Sequence, residues 1–192
     1  MPRLRLSLCM SLERPQAPAG GDAPLTFQVW RGGPCVGGTL DPALRGRDDG
    51  ERQWCAIADH RLDDAAPLEL GQGFSGQHFE QINPGESLSP DNTGALFIVM
   101  MSIAPAVEEE FNDWYNLEHI PRLIQVPGVI CARRFRALGA TSRYTSRYMA
   151  VYHLADAAAY AEASWCDADR TPWISRMRRF QSDRQYFMFK PA

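Results

Sequence analysis

Strict alternation marks the first segment: Leu4, Leu6, Leu8, Met10 and Leu12 are separated by Arg5, Ser7, Cys9 and Ser11, the period-two pattern of a strand. Further strands are expected at Leu25–Trp30, at Gln53–Ala58 after the Asp49-Gly50 turn, and at Gly76–Ile82. Asp63–Leu70 reads as a short helix that Pro67 limits to a turn or two. The second half is patterned differently. Ala95–Ile103, ALFIVMMSI, is apolar on both faces, so the strand it predicts must be covered on both sides. From about Val107 the period changes to that of a helix, with Val107, Phe111, Trp114 and Glu118 on one face and Phe111, Tyr115 and His119 on the neighbouring stripe. Ile120 precedes Pro121, which predicts that this helix ends or kinks just after His119. Strands are then expected at Val129–Leu138 and Arg147–Leu154. Asp156 is a good N-cap for an alanine-rich helix, Thr171-Pro172 opens another with Trp173, Ile174, Met177 and Phe180 on one face, and Gln185–Phe189 closes the chain.

The second half therefore reads β-α-β-β-α-β, the ferredoxin-like arrangement. Asn83–Gly94, NPGESLSPDNTG, is rich in turn formers and divides the chain into a β-rich first half (1–82), a linker (83–94) and an α+β second half (95–192). Sliding the first half by about 92 positions lays AIADHRLDDAA near MAVYHLADAAA, an echo expected of a degenerate second copy. The fold class expected is α+β, with the two halves together forming an α+β barrel.

Composition narrows the function. The chain has 192 residues, a net charge of −3 and 45% hydrophobic residues, so no basic footprint points to nucleic acid. No apolar run approaches the roughly 18 residues that would suggest a membrane helix. The five cysteines contain no C-x-x-C pair, which argues against a disulfide framework or a zinc site and fits a reducing cytoplasm. Phosphate loops and nucleophile elbows are absent, and neither metal nor cofactor is expected.

The candidate chemistry lies on the central helix. Glu118 and His119 place a carboxylate beside an imidazole, a pair suited to general acid/base work near neutral pH. Bland alternatives are a helix-capping role for His119 and a salt bridge from Glu118 to Arg133 or Arg134. Tyr115 is a candidate donor to a developing oxyanion. Trp114, Phe111, Arg133, Tyr148 and His153 are the expected pocket residues. A cavity lined by Glu118 and His119 would favour catalysis, whereas a cleft filled by side chains would favour structural roles.

The run EEEFNDWYNLEHIPRLIQVPGVICARRF resembles the dimeric α+β barrel superfamily, most closely its EthD-like members, in its W-Y-x-x-E-H-x-P run, its P-G-V turn and its R-R-F strand. The resemblance covers roughly Leu96–Lys190. It implies a site in the cleft between sheet and helices, with His119 at the position of the usual catalytic histidine. The superfamily includes cyclases, dehydratases, isomerases, cofactor-independent monooxygenases and haem-dependent enzymes. The resemblance leads to a cofactor-independent enzyme that moves protons on a small cyclic or aromatic substrate. A cofactor-free monooxygenase and a non-catalytic binding protein are the alternatives. Assembly is expected as a homodimer, or as one chain supplying both halves of the barrel.

Overall fold

The computed structural model describes residues 4–16, 24–38, 45–61, 77–139 and 146–192. The short helix expected at 63–70 lies outside them. Eight strands are present: β1 (Leu4–Ser11), β2 (Thr26–Pro34), β3 (Gln53–Arg61), β4 (Gln77–Asn83), β5 (Ala95–Ile103), β6 (Val129–Ala137), β7 (Tyr148–Leu154) and β8 (Gln181–Pro191). They close into a barrel in the order β1-β3-β2-β8-β5-β7-β6-β4, every pairing antiparallel. Each half contributes four neighbouring strands, and both use one order: β2-β3-β1-β4 in the first, β6-β7-β5-β8 in the second. Two seams, β2 with β8 and β4 with β6, join the halves within the single chain, so no edge strand is left open. At the first seam the strands pass so closely that a Cβ on Gly32 would stand 2.0 Å from the Met188 carbonyl oxygen, which explains glycine there.

The two apolar faces of β5 have different partners. Leu96, Ile98 and Met100 point into the barrel, where they meet Leu6, Ile57, Phe79 and Phe135 from strands of both halves. Phe97, Val99, Met101 and Ile103 point outward and are covered by the helices of the second half. The second covering layer that the sequence demands is thus the chain's own first half.

One end of the barrel interior is polar. Arg133 on β6 and Asp59 on β3 form an ion pair of 2.5 Å with both side chains fully buried. Arg133 also donates to Gln81 Oε1 (2.7 Å) and Ser89 Oγ (2.7 Å), while Asp59 Oδ2 accepts from Thr26 Oγ1 (2.7 Å) and the Ser89 amide (2.8 Å). Burial pushes the Asp59 carboxyl up, but the Arg133 guanidinium and these donors outweigh it and hold the carboxyl below its usual range. His153 shares this interior. The Thr93 hydroxyl donates to the Pro90 carbonyl (2.9 Å), so its oxygen, 3.1 Å from His153 Nδ1, accepts a hydrogen bond from that nitrogen.

Removing one member of a fully buried pair strands the other, so Arg133→Met is expected to lower unfolding free energy by about 3–5 kcal/mol. The double change Arg133→Met/Asp59→Leu is expected to recover much of that loss. Urea midpoints compare the three proteins.

Candidate active site

The helix after β5 does not end at His119. An α-helix over Glu108–Trp114 (α1) passes into a π-helical turn over Tyr115–His119 and continues as Ile120–Leu123 (α2). The Ile120 amide bonds to the Tyr115 carbonyl, five residues back. Pro121 supplies the reason: its ring crowds the carbonyl four residues earlier and it has no N–H to offer, and a widened turn relieves both demands without breaking the helix.

The extra residue in that turn resets the helical phase beyond it. His119, five residues after Trp114, comes to lie over the indole with ring centroids 4.6 Å apart, and its edge meets Tyr115 at 4.9 Å. Glu118 is turned the other way, accepting a 2.5 Å hydrogen bond from Thr171 Oγ1. That same hydroxyl oxygen caps the Ile174 amide (3.1 Å) at the start of a short helix over Pro172–Met177, α4. The side-by-side Glu118/His119 pair of the amphipathic pattern is therefore separated, because 3.6-residue spacing does not hold through the π-turn.

Between the helices and the outer face of β5, β7 and β8 lies a cavity of about 40 Å³, lined by His119, Trp114, Tyr115, Phe97, Tyr152, Tyr160, Trp165, Asp169, Arg178 and Tyr186 among others. It has room for ordered water. Glu118 is not part of its lining. His119 is buried and its pKa falls to about 4, chiefly through loss of solvent, with Asp169 opposing and Arg178 and Arg134 adding to the fall. The imidazole is consequently neutral at pH 7. No hydrogen bond engages either of its nitrogens among the described residues.

Asp169, just after α3 (Ala163–Ala168), is held by Arg178 (2.8 Å) and by Arg45 (3.0 Å). Burial raises its carboxyl, and His119, Arg178 and Arg45 together pull it below the usual range. Arg45 comes from the first half, its side chain wholly enclosed and its guanidinium 5.0 Å over the Tyr160 ring. The first half thus supplies a residue to the surroundings of this cavity. The Tyr152 hydroxyl donates to that of Tyr115, whose own proton points to Met101 Sδ at 4.0 Å, and burial keeps both hydroxyls protonated by raising their pKa values.

Of the residues expected from sequence, Trp114, Tyr115 and His119 come together at the cavity. Phe111 packs beneath them, its ring 5.1 Å from that of Tyr115. Tyr148 sits at the edge of α1, donating to Glu108 and accepting from Asn112. Arg133 and His153 face the barrel interior. The arginine under the helix is instead Arg134, which donates to Asn116 Oδ1 (2.7 Å) and Asn112 Oδ1 (2.9 Å), so neither arginine pairs with Glu118. Asp169, Arg178, Arg45, Tyr152, Tyr160 and Tyr186 join the site without having been singled out by sequence pattern. Only Asp169 carries a sequence signal, an acid wedged between two short helices. Haem does not fit these surroundings: His119 is covered on its face by Trp114 and at its edge by Tyr115, and His153 is enclosed within the barrel. No group of three metal-ligating side chains converges among the described residues.

Residues 95–181 match a family described as a domain of unknown function, DUF4286. No curated protein matches the chain. Among solved structures, the chain is similar to an uncharacterised ferredoxin-fold protein from Listeria monocytogenes related to antibiotic biosynthesis monooxygenases, with TM-score 0.57 and 9% identity over 100% of this chain and 96% of that one. It is also similar to an anthrone oxidase-like protein (TM-score 0.55, 10% identity, 98% and 92% covered). A third is chlorite dismutase from Candidatus Nitrospira defluvii (TM-score 0.51, 10% identity, 99% and 92% covered). At these identities the likeness establishes a shared ferredoxin-like α+β fold spanning both halves. No described helix is long and apolar enough to cross a membrane.

The buried histidines make stability depend on pH. His119 (about 4) and His153 (about 3) have depressed folded-state values, as does His78, against about 6.5 in the unfolded chain. Below that value the unfolded chain takes up protons that the folded one refuses, so stability present above pH 6.5 is lost on acidification toward pH 4. The slope approaches about 1.4 kcal/mol per pH unit for each histidine. Urea midpoints at pH 7.5, 6 and 5 are expected to fall in that order. The fall should be shallower in His119→Gln/His153→Gln.

Proposed function

We propose that this chain is a cofactor-independent enzyme that moves a proton on a small cyclic or aromatic molecule held against the cavity, with His119 as the base. The observation that carries this reading is the state of His119: neutral, unengaged by any described hydrogen-bond partner, and set among aromatic rings beside Asp169. A neutral imidazole offers a free lone pair to a proton at pH 7, and Asp169 is the neighbouring charge that favours the imidazolium against the loss of solvent. The Tyr115–Tyr152 hydroxyl pair supplies a donor to the oxygen on which negative charge develops. Trp114 and the other rings orient a planar substrate, admitted by movement of the rim side chains Gln181 and Arg184. Lyase, isomerase, dehydratase and cyclase reactions all share this first step. Glu118 acts in this reading through Thr171, holding α4 in place, and the EthD-like kinship of the WYNLEHIP run belongs to the same proposal. Five free cysteines support action in a reducing cytoplasm.

A second reading is favoured by the structures this chain is similar to, one related to antibiotic biosynthesis monooxygenases and one anthrone oxidase-like. The same proton abstraction would then yield a carbanion or phenolate that reacts with oxygen. Oxygen uptake with candidate phenols separates the two.

His119→Ala is expected to lower kcat/KM by about 10²–10⁴-fold with an unchanged circular dichroism spectrum. Glu118→Gln is expected to keep turnover and to lower thermal stability. Undiminished turnover in folded His119→Ala would overturn the assignment of His119 as the base.

A further inference from the structure

Arg134 is 2% exposed, and its guanidinium lies 4.2 Å over the Tyr115 ring and 5.5 Å over that of Phe111. Its hydrogen-bond partners are two neutral asparagine oxygens, Asn112 and Asn116. No carboxylate among the described residues bonds to it. A buried cation without a counter-charge is costly, and proteins ordinarily pair it.

The imbalance extends around the cavity. Asp169 is the single carboxylate in the described lining, and both Arg45 and Arg178 already bind it. Arg184 stands on the same rim and forms no ion pair among the described residues. Its position there results from a bulge: β8 pairs Gln185 with Met100 and Ser182 with Ser102, leaving Asp183 and Arg184 opposite Met101 alone, and Asp183 adopts the left-handed φ of 51°. In an unbroken strand Gln181 and Arg184 would face opposite sides; the extra residue brings both to the cavity. Arg45 and Arg178 thus hold the one carboxylate of the described lining, while Arg134, against the Tyr115 ring, and Arg184, at the rim, add two guanidinium groups with no carboxylate bonded to them among the described residues.

We propose that the site is built for an aromatic anion: the ring packs against the aromatic walls once the rim side chains Gln181 and Arg184 part to widen the water-sized cavity, and its phenolate or carboxylate oxygen supplies the charge that Arg134, behind Tyr115, and Arg184, at the rim, leave uncompensated. This rests on the reading of the cavity as a small-molecule site and names the substrate class. It concerns charge recognition, not the base. Arg134 acts through the Tyr115 hydroxyl, whose ring it underlies, and is a positioning and electrostatic residue.

The test uses 4-nitrophenol, whose ionisation is read from its phenolate absorbance, with quenching of tryptophan fluorescence as the binding signal because Trp114 and Trp165 line the cavity. The phenolate is expected to bind at least ten-fold tighter than the phenol, which shifts the bound ligand's ionisation down by a full pH unit. Benzoate is expected to compete and benzamide to compete at least ten-fold more weakly. Arg134→Gln/Arg184→Gln should abolish the preference. Arg134→Lys, which keeps the charge and loses the fork to the asparagines, should retain it, and Arg184→Gln alone, at an exposed position, should weaken it even if Arg134 variants fold poorly. Equal binding of phenol and phenolate, absence of binding, or a preference that survives the double change would overturn the proposal. His119→Ala should leave the preference intact while removing turnover, so failure of the anion proposal and failure of the His119 assignment give different results.

Discussion

Arg133 and Asp59 meet across the barrel interior, one from each half of the chain, and side chains from three other segments converge on them. Gln81, Ser89 and Thr26 complete the hydrogen bonding that makes a fully buried pair tolerable. An apolar interior of the same volume would be at least as stable, so the pair contributes through specificity: its donors and acceptors coincide in the register of β6 against β4 and of β3 across the intervening β1. That register fixes where the outer face of the second half lies, and the cavity sits on that face.

On the outer face the controlling element is smaller. Pro121 forces a widened turn, and the turn stacks His119 on Trp114 while sending Glu118 to the cap of α4. A histidine on a regular helix at this position would keep Glu118 as its neighbour. The π-turn exchanges that neighbour for Asp169, which arrives from a different helix already held by two arginines.

Strand positions are largely legible in the sequence because each rests on a local period: the alternation of Leu4 to Leu12, and the apolar run of Ala95 to Ile103. The strand order in the second half is implied by element order. Two things are not legible. Arg133 and Arg134 are adjacent on a strand, so one must face the interior and the other the helix, and local pattern does not say which; Phe135, which points inward, decides it. Arg45 reaches Asp169 across 124 positions, a contact with no local signature. Pro121 does signal a disturbance of the helix, but its effect is a change of pitch and not a stop.

Closure of the barrel through the Gly32 seam has a genetic consequence. In an assembly of two identical subunits each substitution appears twice, and both copies of a site must tolerate it. Here the two four-stranded sheets, alike in strand order, are encoded separately, so a change in one is felt once. A loop residue such as Arg45 can become specialised to serve the opposite half without any matching demand on the counterpart position, and the barrel is free to become functionally lopsided.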